Sequence, residues 1–376
     1  MAMTEHRKIE PKILSLFSGC GGLDLGFHIA GYKTVWANDI NEWAVQTFAA
    51  NFGENIITQK NIEEIYPKKD TTIPECDLIV GGFPCQDFSV VWKQPGLDGD
   101  RGNLYKHYLR FINAKRPKAF VAENVKGILT ANKGKAIEEI IKGFSEAGDG
   151  YMVKIQLYNF ADYGVPQFRE RVLIVGIQLD TGFNFIHPAP THGDGRKNKY
   201  KTAGKALKGV EKVKDFNKEE IKIMDKTRKL LDRIPEGGNF KDIPADDPDY
   251  VKGMISHVYR RLKLDEPAKT IIAAGGGGTW GYHYPEPRPL CNRERARLQS
   301  FDDNFKFKGT VTEIRRQIGN AVPPDGVVLL AKTLMPLFEN DYEKVDISEI
   351  NENLKKLSIK ERLEYDLKIH TAKAEK

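Results

Sequence analysis

Residues 13–24 read ILSLFSGCGGLD. An apolar run, ILSLF, breaks into a glycine-rich turn and then into an amphipathic stretch, the pattern of a strand that turns sharply into a helix. The same rhythm returns along the chain. Further apolar runs are TVWAN (34–38), DLIVGG (77–82), AFVAE (119–123), VKIQLY (153–158) and RVLIVGI (171–177). They lack strict alternation, as strands buried on both faces should. Between two of them Ile137, Ile140, Ile141 and Phe144 fall at helical spacing and form one apolar stripe. This β-α-β-α order predicts an α/β fold with a doubly wound, Rossmann-like, mostly parallel sheet.

Working outward, a first domain spans 1–184. From there the texture changes to Pro, Gly, Lys and Asp, and 185–287 reads as a smaller, irregular domain with a helical patch near 216–234. It ends in TIIAAGGGGTWGYHYPEP (270–287), which predicts a strand, a glycine run and then aromatics. Order resumes over 288–338, a return to the first domain, with helices expected at Cys291–Phe301 and Val327–Phe338. The charged tail 339–376 places Ile347, Ile350, Leu354 and Leu357 at coiled-coil-like spacing, which predicts a docked surface helix in preference to a partner-binding one.

Composition bounds the rest. With 376 residues, 40% hydrophobic and 29% charged, the chain can bury a large core, which excludes global disorder and a disulfide scaffold. By this reading no apolar run approaches the roughly 18–20 residues of a membrane span. The N-terminus, MAMTEHRKIEPK, lacks the apolar core of a signal peptide, so the expected location is the cytoplasm. Net charge is +6, from 58 basic and 52 acidic residues. Between Gly193 and Arg233 there are 14 Lys/Arg against 7 Asp/Glu, so the excess is concentrated in the second domain. That patch is either a footprint for nucleic acid or a solvated Lys-rich helical face. The four cysteines, Cys20, Cys76, Cys85 and Cys291, have no zinc spacing, so no metal is expected. Each is a small buried hydrophobe or a reactive thiol.

Two turns at strand ends can carry chemistry. In the first, Gly19-x-Gly21-x-x-Asp24 puts a carboxylate where the dinucleotide fingerprint needs glycine, and that charge would repel a pyrophosphate. A nucleoside without phosphates and with a cationic group fits better, and S-adenosylmethionine is one. Asp39 ends the second strand 20 residues after Gly19, where an acid accepts hydrogen bonds from ribose hydroxyls. In the second turn, Gly81-Gly82-Phe83-Pro84-Cys85-Gln86, two glycines and a proline project a thiol from a strand end. The segment 87–102, with three glycines, reads as a lid. Glu123, at the end of the AFVAE strand, is a candidate acid for a ring nitrogen or a plain cap. Arg169 and Arg171 alternate onto one face, where they hold an anion, a phosphate or Glu123, or form a surface pair.

Taken together and in order, FSGCGGLDLGF, GGFPCQDFS, RGNLY, AENVKG, QFRERV, RERARLQSF and GNAVPP resemble the DNA (cytosine-5)-methyltransferases of bacterial restriction-modification systems. The resemblance covers about 13–180 and 288–334. It implies that Cys85 attacks carbon 6 of cytosine, that Glu123 protonates ring nitrogen 3, and that Arg169 and Arg171 support the site. Phe17, Gly19, Gly21, Gly22, Leu23, Asp39, Ile40, Asn61, Ile62 and Pro84 would line S-adenosylmethionine, and Leu104, Asn320 and Val322 would close that pocket. Gln86, Ser89, Arg260, Thr270 and the run Gly275, Gly276, Gly277 and Gly278 would meet DNA, with 185–287 as the target-recognition domain. Two departures stand out: Asn61 replaces an aspartate that binds the adenine amino group, and Ile40 replaces a stacking Trp. The cytosine must be flipped out of the duplex to be reached. The implied partners are double-stranded DNA and a cognate endonuclease; a monomer in the bacterial cytoplasm, beside the nucleoid, is expected.

Three other readings use the same residues. An RNA cytosine-5 methyltransferase of the same superfamily shares the chemistry but tends to have a smaller lobe. A non-catalytic DNA-binding relative would not need an intact Cys85, Glu123 and Arg169. A Rossmann dehydrogenase is opposed by Asp24.

Overall fold

The computed structural model describes residues 9–84, 104–213, 223–248, 250, 258–273 and 281–374. Seven strands form one sheet: β1 (Lys12–Leu16), β2 (Lys33–Asp39), β3 (Ile57–Gln59), β4 (Leu78–Gly81), β5 (Ala119–Val125), β6 (Tyr151–Asn159) and β7 (Glu170–Gln178). Their order is β3-β2-β1-β4-β5-β7-β6. The first five are mutually parallel, and β7 runs antiparallel to both β5 and β6. The chain winds outward from β1 to β3 and then returns to β4. That reversal opens a crevice beyond the carboxyl ends of β1 and β4, where the two glycine turns lie.

The strands are buried on both faces, as their unbroken apolar runs predict. On one face α1 (Gly22–Ile29) and the long helix Pro324–Glu339 pack through Leu23, Phe27, Val327, Leu330 and Leu334. On the other, the helices Leu104–Lys115 and Lys135–Ser145 contribute Tyr108, Phe111 and the stripe Ile137, Ile140, Ile141 and Phe144. The helix expected at 291–301 runs Asn292–Leu298, with Cys291 as its cap. In the second lobe the helical patch begins, among the described residues, at Asp225 and ends at Arg233.

Two expectations need correction. Thr270–Ala273 is not a strand. Thr270 Oγ1 donates to Phe168 O at 2.7 Å and Ile271 N–H to the Gln167 side chain at 2.7 Å, so side chains take the place of a strand neighbour. The apolar stretch Val311–Glu339 does have the length and composition of a membrane span. Here it is two helices, Val311–Asn320 and Pro324–Glu339, broken at Ala321–Pro323, and the second buries its apolar face on the sheet.

The tail forms two helices, Ile347–Lys355 and Ile359–Ala374, which dock on β6. A buried pair anchors them. Lys154 of β6 bonds Asp366 at 2.8 Å, and the second Asp366 oxygen accepts the His187 N–H at 2.8 Å. Removing one partner would strand a buried charge. Asp366→Ala is therefore expected to cost about 3–5 kcal/mol in urea unfolding, and Lys154→Met with Asp366→Leu to recover most of it. A loss below about 1 kcal/mol would contradict this account.

Candidate active site

The crevice is a cleft of about 1470 Å³. Its first half is built on the β1 turn. Phe17 and Gly19 take left-handed backbone, with φ of 51° and 54°. This curls the chain so that Gly19 N–H donates to Asp39 Oδ2 at 2.8 Å, while Asn41 N–H donates to Oδ1 at 2.8 Å. Asp39 is thereby locked at the end of β2 and lines the cleft. Burial raises its carboxyl above the ordinary range, against the pull of those amides. The Ile40 backbone N–H also bonds this carboxyl, and the acceptor capacity that remains faces the cleft, where a ligand hydroxyl can donate to it. Ile40, beside it, is 66% exposed at the cleft lip, free to cover a ring face.

Gly22, Leu23, Ile62, Leu104, Asn320 and Val322 also line the cleft. Asn61 lines it as the cap of a short 3-10 turn: its oxygen accepts the Glu63 N–H at 3.2 Å. Gly21 does not line it. It adopts φ of 90°, and a Cβ there would fall 2.3 Å from the Phe52 ring, so its place is in the packing of α1.

Asp24, the residue that breaks the dinucleotide fingerprint, is fully buried. Ser15 and Thr34 hydroxyls each donate to it at 2.8 Å. Burial pushes its carboxyl up from 3.8 to about 6, against those two bonds. The folded state thus holds the proton more tightly than the unfolded chain. The stability this confers is complete below about pH 4 and is lost as pH rises through about 6. Asp24→Asn is expected to exceed the parent at pH 8 by up to about 3 kcal/mol, with the gap closing in acid. Urea midpoints at pH 5 and pH 8 check this; a parent more stable than the variant at pH 8 would refute it.

The second half is built on the β4 turn. Asn124 donates from its amide to Phe83 O at 3.0 Å, tying this turn to the end of β5. The neighbouring Glu123 is 9% exposed, and Arg171 Nε reaches its Oε1 at 2.8 Å. The other oxygen faces the turn: a Cβ on Gly82 would sit 2.8 Å from Oε2. A side chain at 82 would push the Glu123 carboxyl out of this position. Pro84 lines the cleft and leads directly to Cys85. Cys85, Gln86, Ser89 and the expected lid at 87–102 lie outside the described residues. Among the described thiols, Cys20 and Cys291 are buried and Cys76 is half-buried; burial pushes Cys20 and Cys76 up to about 12. These three behave as small hydrophobes.

Arg169 and Arg171 do not share one task. Arg171 holds Glu123, whereas Arg169 is 1% exposed, does not line the cleft and donates to Ile271 O and Gly319 O. In the second lobe, Arg260 is half-exposed and lines a smaller cavity with Lys263 and Lys269, and Thr270 is spent on Phe168 O. Gly275–Gly278 lie outside the described residues. The neighbouring Arg261 is structural: its guanidinium donates to Leu231 O, Ile234 O, His283 O and Pro285 O. Sequence reading also passed over Arg110, which donates to Ile62 O at 2.5 Å and stacks on Tyr66, bracing the Asn61 turn. Carbonyls give no sequence signal, so neither arginine could be singled out.

The profile of the C-5 cytosine-specific DNA methylase family matches residues 11–335. The chain belongs to that family. It is 65% identical over 343 residues to the Type II methyltransferase M.NgoFVII of Neisseria gonorrhoeae, covering 90% of each chain. It is 38% identical to the Type II methyltransferase M.BbvI of Brevibacillus brevis, covering 91% of this chain and 98% of that one. A prophage-encoded E. coli protein described as a DNA modification methyltransferase shares the fold, with a TM-score of 0.66 at 24% identity over 88% of this chain and all of that one. This DNA methylase is thus a DNA (cytosine-5)-methyltransferase of the restriction-modification type, and its partner is DNA. The family match ends at residue 335, before the two C-terminal helices.

Proposed function

We propose that this methylase transfers a methyl group from S-adenosylmethionine to carbon 5 of a cytosine flipped out of duplex DNA, through a transient bond to Cys85. The observation that carries the reading is the Glu123–Arg171 pair at 2.8 Å, with the second Glu123 oxygen turned to the Gly82 turn that leads to Cys85. Acid and nucleophile turn thus meet at one wall of the cleft, with Asp39 at the other end.

The cofactor half suits a nucleoside. Asp39 would take ribose hydroxyls, Ile40 and Ile62 would enclose the adenine, Asn61 would accept from its amino group, and Phe17, Gly19, Leu23, Leu104, Asn320 and Val322 would complete the walls. When bound, S-adenosylmethionine supplies an electrophilic methyl group on a sulfonium. At about 1470 Å³ the cleft exceeds the roughly 300–1,000 Å³ of a single small-molecule site, which leaves room for an extruded base.

The residues then divide the work. Cys85, as thiolate, adds to carbon 6 while Glu123 delivers a proton to nitrogen 3, and the ring becomes an enamine. Carbon 5 can then take the methyl group. Loss of the carbon 5 proton to a water molecule expels the thiolate, nitrogen 3 returns its proton to Glu123, and the aromatic ring is restored. A thiol serves because it both attacks and leaves well. Arg171 fixes Glu123 by holding Oε1. Residues 185–287 act as the target-recognition domain: Arg260 and the Gly275–Gly278 run would contact DNA, together with Gln86 and Ser89 of the first domain, while Thr270, its hydroxyl already donating to Phe168 O, would hold that segment in place. The chain works as a monomer beside the nucleoid in the cytoplasm, guarding DNA against a cognate endonuclease.

Base-resolution methylation mapping of a host expressing the chain tests this. 5-Methylcytosine at one short duplex motif is expected. Methylation confined to tRNA would favour the RNA enzyme, and no methylation would refute the activity.

A further inference from the structure

A buried polar network joins four segments distant in sequence: 167–169, 271, 298–299 and 318–319. Gln167 donates to Gln299 Oε1 at 2.9 Å and to Leu298 O at 3.2 Å, and its own oxygen accepts the Ile271 N–H at 2.7 Å. Gln299 in turn donates to Ile318 O at 2.6 Å. Arg169 closes the ring. One terminal nitrogen donates to Ile271 O at 3.0 Å, the other to Gly319 O at 2.8 Å. All three side chains are essentially inaccessible. A Cβ on Gly319 would lie 2.2 Å from Ala273 N, so the two segments touch backbone to backbone.

The segments are the end of the second lobe (268–273) and the turn carrying Asn320 and Val322. The first does not line the cleft, and the second does. We propose that Arg169 is a positioning residue that couples occupancy of the cofactor cleft to the order of the recognition lobe's exit segment. A guanidinium is planar, with its two terminal nitrogens at fixed separation, so both carbonyls share one rigid bracket. Close packing leaves no slack to absorb a shift at either end. A ligand that fixes Asn320 therefore restrains Ile271, and by linkage DNA held at the exit segment favours the cofactor. Arg169 thus acts on the reaction through other groups, without touching a reacting atom. The inference rests on the proposed cofactor site.

Amide hydrogen exchange with S-adenosylhomocysteine as the probe tests both, on the full chain without DNA. In the parent protein the probe is expected to slow exchange at 19–23 by direct contact, and at 268–273 at least about 5-fold by coupling. Arg169→Lys offers one ammonium that cannot span both carbonyls. It is expected to keep the protection at 19–23 and lose it at 268–273. Protection of 19–23 alone in the parent protein would overturn the coupling, and this arm needs no variant to fold. Protection at 268–273 that survives Arg169→Lys would overturn the role of Arg169. No protection at 19–23 would instead sink the cofactor reading on which the inference stands.

Discussion

Cys85→Ala is expected to reduce methyl transfer to DNA by at least about 10³-fold, equivalent to about 4 kcal/mol of barrier. Carbon 5 of cytosine is a poor nucleophile until a thiolate saturates carbon 6, and alanine offers no substitute. DNA synthesised with 5-fluorocytosine in place of cytosine gives the sharper readout. Fluorine cannot leave as a proton does, so the thiol has no route out and the parent protein should remain bound through a denaturing gel. The alanine variant should form no such adduct. No adduct with the parent protein, or an adduct that persists in Cys85→Ala, would overturn the mechanism. Cys20, the described thiol of the glycine turn, offers no rescue, since it is 2% exposed and burial pushes it up to about 12.

Glu123→Gln is expected to lower single-turnover methyl transfer by about 10²–10⁴-fold, the usual worth of a positioned acid. The change keeps the side chain's shape but removes the carboxyl group that would serve nitrogen 3 and that Arg171 Nε meets at 2.8 Å. Affinity for S-adenosylhomocysteine should change little, because Asp39 and Gly19 sit at the other end of the cleft. This split matters: a merely structural role would weaken binding and chemistry together. A rate within 10-fold of the parent protein would show that another group supplies the proton. Arg171→Ala should be worse for stability than for shape, since it leaves the 9% exposed Glu123 without its ion pair.

Much of the catalytic half was legible. Apolar runs at 13–17, 77–82 and 119–123 became β1, β4 and β5, and their ends carry Gly19, Gly82 and Glu123 because a parallel sheet gathers its carboxyl ends at one edge. The stripe from Ile137 to Phe144 became one buried helix face, since helical period alone decides which side chains turn inward. The second lobe was far less legible. Among the described residues one small cluster of its own gathers around Leu230, Leu231, Phe240 and Tyr282, and Arg261 donates to four carbonyls there. A basic residue in a basic segment looks like a solvated charge until its partners are known.

The arginine pair marks the limit. Alternation placed Arg169 and Arg171 together, and the ordered blocks implied that both serve the site. The first strand residue here is Glu170, however, so Arg169 stands before the pleat begins and is not bound by its alternation. Chain order alone determined the winding of the sheet, the two glycine turns and the placing of Glu123 beside the Gly82 turn at neighbouring strand ends, because hydrophobic period and turn chemistry are local properties. Which arginine holds Glu123, and which braces the lobe against Asn320, was decided only by folding: backbone carbonyls exist at every residue, and only packing determines which of them converge on a given guanidinium.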